Sequence, residues 1–236
     1  MAALRNERFT TTLLGWVAGY VDTAGFLGLD GLFTAHVTGN LVVAGVEFAG
    51  KGGDAVWVRL AMIPVFIAAV VTTTVGARQQ QLRLSSLLWF EAIALLAFLG
   101  VSTTIKPDVT THAANLPLFL AGSTGVFAMG IQNALMRESL GTLAPTTVMT
   151  GNLTQLVIDI VQLVLARYNH RQQKPVLQPE VRTRIAKFGS ALFGFSVGAA
   201  SGGVITRWIG LGSILLPAIA IAGLAMQAQK QDARPS

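Results

Sequence analysis

Long apolar stretches constrain this chain more than any other feature of its sequence. Several run for about 20 residues, the length that an α-helix needs to cross the hydrocarbon core of a bilayer, and short charged segments separate them. Because lipid offers the backbone no water, a spanning segment must be a helix or part of a closed barrel. The apolar runs are continuous rather than alternating, which excludes the barrel. The sequence therefore predicts an all-α, polytopic membrane bundle.

Composition and charge support the same class. Hydrophobic residues make up 52% of the chain and charged residues only 12%, against about 25% charged in an ordinary soluble domain. The net charge of +6 sits beside the apolar stretches, where the positive-inside rule puts it. It therefore indicates a lipid bilayer as partner and no nucleic acid. The chain has no cysteine, which excludes a disulfide or a zinc–thiolate site, and we expect no cofactor.

Eight hydrophobic elements form one membrane domain, 1–236. The polar stretch 168–183 is predicted to be a cytoplasmic surface loop, and the last nine residues an unstructured tail. The predicted elements lie approximately at 10–29, 33–50, 55–77, 84–104, 115–136, 145–167, 185–206 and 208–227.

The chain also repeats itself. Thr38-Gly39-Asn40 returns as Thr150-Gly151-Asn152 at an offset of 112 residues, whereas Ala68, Thr72 and Gly76 align with Gly194, Gly198 and Gly202 at an offset of 126. One insertion, about as long as the polar stretch after Tyr168, explains both offsets. We therefore predict two repeats of about four elements, 10–104 and 115–227, with broken helices at the two Thr-Gly-Asn motifs.

The orientation of these repeats depends on the second and sixth elements. If both elements span the membrane, each repeat has four crossings and the repeats are parallel. If both are re-entrant, each has three and the repeats are inverted, as in many secondary transporters. Either arrangement leaves four of the 17 basic residues outside when both termini are cytoplasmic. The count therefore predicts cytoplasmic termini and leaves the orientation open.

The duplicated motif is the sharpest functional signal. A helix start exposes unpaired N–H groups and the positive end of the helix dipole, and Thr is a good N-cap. Two such starts facing each other at mid-membrane would form a polar, anion-friendly cavity. The alternative is packing alone, with the glycines permitting close helix crossing and the asparagines holding the broken backbone. The predicted substrate or ion site comprises Asp22, Thr38, Gly39, Asn40, Gln132, Asn133, Thr150, Gly151, Asn152 and Asp159.

Acidic residues in apolar stretches are the second signal. A charge at the bilayer centre costs about 2.5–3.5 kcal/mol or more, so such residues are usually functional or paired. Asp22, near the middle of the first stretch, is predicted to carry a proton or bind a cation. The alternative is that Asp22 bonds a broken backbone or pairs with Arg59. Glu47, Glu91 and Asp159 also lie in or near apolar runs, while His36 has no second ligand at metal-binding spacing.

Small residues mark the helix contacts. Gly194, Gly198 and Gly202 recur at every fourth position, which is typical of close helix crossing in membranes. They are predicted to pack tightly against another helix and are a candidate contact between two copies of the chain.

Several motifs together resemble a known family. Gly19-Tyr20-Val21-Asp22-Thr23-Ala24, Phe33, Thr38-Gly39-Asn40 and Ala128-Met129-Gly130-Ile131-Gln132-Asn133-Ala134 are similar to the YoaK-like bacterial membrane proteins, DUF1275. The resemblance covers nearly the whole chain. It implies a multi-pass protein of the bacterial cytoplasmic membrane and no settled activity.

The repeat with its polar breaks favours a small-molecule or ion secondary transporter. An intramembrane enzyme is the first alternative, but the sequence has no cysteine, paired histidine, Ser–His or Glu–Glu arrangement, so we do not expect an enzyme. A structural or partner-binding membrane protein is the other alternative. Transport is favoured over both by analogy at the level of the fold.

Overall fold

Eight α-helices follow one another in the computed structural model, which describes residues 6–50, 55–79, 82–105, 116–168 and 178–233. No β-strand occurs in these ranges, and the predicted all-α class is confirmed. A short 3₁₀ turn, Gly210–Ile214, separates the last two helices. The helices are α1 (Glu7–Gly28), α2 (Val37–Ala49), α3 (Ala55–Gln79), α4 (Leu84–Ser102), α5 (Leu116–Glu138), α6 (Met149–Tyr168), α7 (Gln178–Ile209) and α8 (Leu215–Asp232).

Each predicted apolar element overlaps one of these helices, but the predicted end of the polar loop and the predicted start of the tail are wrong. α7 begins at Gln178, so the loop predicted to reach residue 183 ends earlier, and residues 169–177 lie outside the described residues. α8 continues to Asp232 into the predicted tail. Pro179 and Glu180 suit a first helical turn, where a missing N–H is harmless and an acid meets the positive dipole end. Hydropathy marks the apolar part of a helix and misses its polar extension.

The helices have the apolar character of a membrane protein. Five helical stretches are long and apolar enough to cross a bilayer, and the fifth, Pro179–Asp232, contains both α7 and α8. Large apolar side chains cover the outside of the bundle, with Val42 71%, Phe48 79% and Trp208 82% exposed. Exposure on this scale is expected where the surface meets lipid rather than water.

α1 and α5 form the centre of the bundle. Twelve residues of α1 and twelve of α5 are buried, against three of α2. α7 and α8 pack on α1, α3 and α4 pack on α5, and α4 also packs on α8. α2 lies on α3 and α6 lies on α7, so these two helices occupy the edges.

The closest helix contact joins α1 to α7 through glycines on both helices. A Cβ on Gly15 would lie 2.7 Å from the carbonyl oxygen of Ala191, and one on Gly202 would lie 2.7 Å from that of Tyr20. Gly194 and Gly198 meet the backbone of α1 between these points. Tight packing of this stripe is confirmed, but its predicted role between two copies is wrong, because α1 of the same chain covers the glycines.

The contacts also fix the helix directions. α1 and α7 run the same way, because Gly15 meets Ala191 and Gly202 meets Tyr20. α3 and α5 likewise run together, since Gly122 meets Met62 and Gly130 meets Ala69.

α1 and α5 run in opposite directions. Gln132, late in α5, bonds the carbonyl of Leu14, whereas the methyl of Thr34, whose hydroxyl bonds Val21, meets Gly125. α8 begins beside the end of α1, where Leu211 lies on Gly28. It ends beside the start of α4, where Ser85 donates a hydrogen bond to Asp232. Thus α1, α4 and α7 point one way, and α3, α5 and α8 point the other.

α2 does not carry the chain across the bundle. Arg59, in the second turn of α3, bonds the carbonyls of Asp30 and Gly31, which directly follow α1. α3 therefore starts at the face where α1 ended. The same holds at the opposite face, where Thr142 after α5 bonds Glu7 at the start of α1 and α7 begins alongside α1. The connecting segments containing α2 and α6 each return to the face that they left.

Candidate functional site

Asp22 organises the irregular segment 29–36 between α1 and α2, which we call the first break. It is 5% exposed, and its Oδ1 accepts hydrogen bonds from the backbone N–H groups of Thr34 (2.9 Å), Ala35 (2.7 Å) and His36 (3.3 Å). A carboxylate that accepts several N–H bonds replaces the backbone partners that a broken helix lacks. This geometry is the backbone-bonding alternative of the sequence analysis, and the partner of Asp22 is His36 rather than Arg59.

His36 joins Asp22 in an acid–imidazole pair. Its Nδ1 lies 2.7 Å from Asp22 Oδ2, and its ring meets the edge of Phe195 on α7 at 5.3 Å. When Nδ1 carries the proton that Asp22 accepts, Nε2 is left as an acceptor. The side chain is 29% exposed, so a bound molecule can reach this ring.

The first Thr-Gly-Asn motif lies in the opening turn of α2. Asn40 is fully buried and clasps Phe33, accepting from its N–H at 2.8 Å and donating to its carbonyl at 2.9 Å. Gly39 leaves room for the ring of Phe33, which would lie 2.8 Å from an added Cβ. Thr38 is exposed and is not the N-cap as predicted, because α2 begins after His36 and has no side-chain cap.

The second break, the irregular segment 139–148 between α5 and α6, is held by other hydrogen bonds. Gln132 is fully buried and donates to Thr146 Oγ1 (2.8 Å) and to the carbonyl of Leu14 (2.9 Å). Asn152 donates to the carbonyl of Pro145 at 2.6 Å, as Asn40 does to Phe33. Pro145 has no N–H to return the second bond. Thr150 and Gly151 are exposed, and half-buried Asn133 neighbours Gln132, whose side chain reaches the break.

The helices that follow the two breaks do not pack on each other. α2 packs on α3 and α6 on α7, and no comparable packing joins α2 to α6. Both breaks instead connect to α1, the first directly at Asp22 and the second through Gln132 of α5, which bonds both Leu14 and Thr146. Eight residues of helix separate these points, about 12 Å at 1.5 Å per residue. The polar groups of the two breaks are therefore neighbours along one buried helix.

Each break is followed by an ion pair. Asp159 on α6, a predicted site residue, is fully buried and bonds Arg184 on α7 at 2.8 Å. Glu47 on α2 bonds Arg59 on α3 at 2.9 Å. Charge pairing removes the reason to assign either acid to substrate binding, because a paired buried charge already has its counter-ion.

Sequence reasoning missed Arg184, named Arg59 only as a partner for Asp22, and underrated one acid. Arg59 and Arg184 lie near helix starts, where basic residues are expected on topological grounds alone, so nothing in the sequence marked them as the partners of Glu47 and Asp159. Glu91 belongs to the apolar run of α4, but its isolation inside the bundle is visible only in the fold. Within the described ranges, no group of three His, Cys, Asp or Glu side chains could hold a metal ion.

Comparison with known proteins supplies the family. Residues 10–227 match the family described as "Protein of unknown function (DUF1275)". The chain belongs to the DUF1275 family. The DUF1275 match extends over both breaks and over six complete α-helices, α2 to α7, so the resemblance of the sequence motifs is confirmed.

One curated relative is the UPF0700 transmembrane protein YoaK of Bacillus subtilis (strain 168). It is 29% identical to this DUF1275 chain over 187 residues, which cover 78% of this chain and 79% of YoaK. No solved structure is significantly similar. With the apolar helices described above, these matches make the chain a multi-pass membrane protein of the DUF1275 family.

Proposed function

We propose that this protein is a small secondary transporter whose substrate binds beside α1, between the two breaks. The observation that carries the proposal is that the two polar breaks, one from each half of the chain, connect to the same buried stretch between Leu14 and Asp22. Broken helices with polar backbone inside a bundle are how several transporter folds build their sites.

Two inverted repeats underlie this site in our proposal. Equivalent contacts recur at the offsets of the sequence repeat, and equivalent helices run in opposite directions. Gly19 meets Phe195 as Gly130 meets Ala69. Asn40 bonds the residue seven positions before it, and so does Asn152.

The ion pairs follow the same rule. Glu47 and Asp159 are separated by 112 residues in sequence, and each bonds an arginine at the start of the next helix, Arg59 and Arg184. Such recurrence supports inverted halves with three crossings each, in which α2 and α6 are re-entrant from opposite faces.

The first break is the more polar of the two. His36 offers a free imidazole nitrogen beside the start of α2, where the helix dipole favours a negatively charged or polar group. The aligned position in the second half is Val148, which offers no such group. We infer a small polar substrate that donates a hydrogen bond to Nε2 of His36 and lies toward Phe195.

Location follows from the family and the charge distribution. We propose the cytoplasmic membrane of a bacterium, with both termini in the cytoplasm, because the three-crossing arrangement leaves most basic residues on that side.

A structural role is the competing function. One observation favours it: Asp22 and Asn40 direct their hydrogen bonds to the backbone of their own break. A protein that needs polar side chains only to hold irregular backbone would look the same at these residues. His36 distinguishes the two functions, since its ring is accessible and a structural role does not require Nε2.

Uptake into proteoliposomes tests the proposal and does not require the substrate to be identified in advance. Vesicles containing the purified protein are incubated with a mixture of small polar metabolites, and their contents are compared by mass spectrometry with those of protein-free vesicles. We expect at least one compound to accumulate, and His36→Gln, which can still donate to Asp22, to reduce its uptake at least tenfold. Phe48→Leu on the outer surface is the control.

The outcomes separate the hypotheses. Accumulation of no compound contradicts transport and leaves the structural role. Accumulation that His36→Gln leaves unchanged supports transport but contradicts the position of the site.

A further inference from the structure

Glu91 is an isolated acid inside the bundle. The side chain is 0% exposed, and neither carboxyl oxygen has a hydrogen-bond partner among the described residues. The other buried acids differ, because Asp22 accepts backbone N–H groups and Asp159 bonds an arginine. Glu91 is therefore a buried acid that the packing of the bundle does not use.

The surroundings of Glu91 are apolar. On α4 it lies among Leu87, Leu88, Ala92 and Leu95, all buried in the hydrophobic core. α4 packs on α5, on α8 and on the 3₁₀ turn between α7 and α8. The ionisable side chains on these elements are Arg137 and Glu138 of α5 and Lys230 and Asp232 of α8.

All four of these charges lie toward the beginning of α4. Asp232 bonds Ser85, which precedes Glu91 by six residues, about 9 Å along the helix. Glu138 is held by Arg78. Arg137 and Lys230 are exposed. No cation among the described residues is thus placed to neutralise Glu91.

An unpaired charge in this position is not stable. Moving a lone carboxylate into a medium of low dielectric costs tens of kcal/mol in the limiting case, so the group takes up a proton instead. A neutral carboxyl still has one O–H donor and two acceptor positions to satisfy. In the described structure neither carboxyl oxygen makes a hydrogen bond. This indicates a group that acquires its hydrogen-bond partner in another state of the protein.

Gln132 offers such a partner. Its Oε1 is buried without a donor among the described residues, and its orientation is set because Nε2 must donate to the carbonyl of Leu14. Phe98 of α4 meets Gly125 of the antiparallel α5. Glu91 precedes Phe98 by seven residues on α4, and Gln132 follows Gly125 by seven residues on α5. Because the two helices are antiparallel, Glu91 and Gln132 lie at the same level along the helix axes. The O–H group of a neutral carboxyl is a hydrogen-bond donor, which is the partner that Gln132 Oε1 lacks.

We propose that Glu91 is a proton-binding site of the membrane interior and holds the proton that drives transport. The proton forms an O–H bond on one carboxyl oxygen and leaves as hydronium when the cycle opens the site to water. The coupling role rests on the proposed transport function, whereas proton binding does not. The aligned residue in the second half is Pro217, so each chain carries one such proton.

Infrared spectroscopy of the purified protein in lipid tests proton binding directly. We expect wild type in neutral buffer to show the C=O stretch of a neutral carboxyl. Uniform ¹³C labelling of glutamate should shift this band, and Glu91→Gln should remove it. Because the side chain is shielded from water, the band should respond to D₂O over minutes or longer. Glu138→Gln, at an exposed ion pair, is the matched control and should retain the band.

Two results would overturn the proposal. One is a wild-type spectrum without a neutral glutamate band at neutral pH, which needs no variant to fold. The other is a band that persists unchanged in Glu91→Gln. If the band behaves as expected but no compound accumulates in the uptake experiment, the proton site stands and the coupling role fails together with transport.

Discussion

Asp22 shows how one carboxylate can replace the hydrogen bonds of a missing helical turn. Its two oxygens hold three N–H groups and an imidazole across a gap of 12 to 14 residues. The sequence predicted that an acid at this depth must have a purpose, and that inference survives. The predicted purpose was to bind a proton or cation. Glu91 fits that role better, because the oxygens of Asp22 already accept four hydrogen bonds, whereas those of Glu91 accept none from the described residues.

Asp22→Asn should therefore destabilise the protein. Charge-assisted hydrogen bonds are worth about 1.5–3 kcal/mol each against about 0.5–1.5 kcal/mol for neutral ones, and the substitution makes the bonds to Thr34, Ala35 and His36 neutral. We expect the free energy of unfolding to fall by about 1–3 kcal/mol, measured as a lower unfolding temperature in detergent.

Asp30→Asn is the matched control for that experiment. Asp30 is exposed, and its φ of 52° lies in a region that Asn adopts readily. It should leave the unfolding temperature unchanged. Equal stability of wild type and Asp22→Asn would show that the bonds to the break contribute nothing to the fold.

At the scale of helices, the glycine contact between α1 and α7 is the most restrictive feature. Gly198 faces the carbonyl of Trp16 so closely that an added methyl group has no room. The sequence identified the stripe and its purpose, since small residues at every fourth position have few other uses in a membrane. The sequence could not identify α1 as the partner helix, because a stripe of small residues shows which face of α7 is in contact but not which helix it contacts.

Gly198→Ala should separate the two helices. Overpacking typically costs about 1–3 kcal/mol, and more where backbone rather than a side chain must move. Gly189→Ala, on the same helix, places its Cβ where nothing lies within 4 Å, and helix propensity alone should then stabilise it by up to about 1 kcal/mol. Thermal unfolding of both variants checks the difference, and a Gly198→Ala protein as stable as Gly189→Ala contradicts the packing.

The sequence also predicted the helices better than their connections. Apolar length located all eight elements, because burial in lipid demands it. The ion pairs Glu47–Arg59 and Asp159–Arg184 were not predicted, since each joins two helices and no pattern along the chain links the acid to its arginine. Pairing of this kind depends on where helices meet, which hydropathy does not encode.

At the scale of the whole molecule, the helix directions favour six crossings over eight. Single cysteines report the sides directly, because the chain has none of its own. With cytoplasmic termini, a cysteine at Gly50 should react with an impermeant maleimide from outside the cell, and one at Thr142 only after the membrane is opened. Eight crossings would reverse both results. Labelling of both positions from the same side would exclude both arrangements, because each of them places Gly50 and Thr142 on opposite sides.

The equivalent grooves of the two halves differ in size. One, between α3, α4 and α5, has a volume of about 790 Å³ and is lined by residues that include Ala94, Leu120 and Phe127. The other, between α1, α7 and α8, has about 420 Å³ and is lined by their counterparts Ala220, Phe9 and Trp16. In the transport cycle that we propose, this difference in groove volume would reverse when the two halves exchange their states.

The contact of α1 with α7 also sets the order in which the protein can be completed. α1 leaves the ribosome before α7, yet the surface that covers its glycines belongs to α7. It is not among the stretches apolar enough to cross a bilayer by hydropathy alone, and it carries Asp22. During synthesis, most of the chain must therefore be made before α1 has its permanent neighbour. Until then the break after α1, folded back on Asp22, is the part of the first half able to shield that charge from lipid.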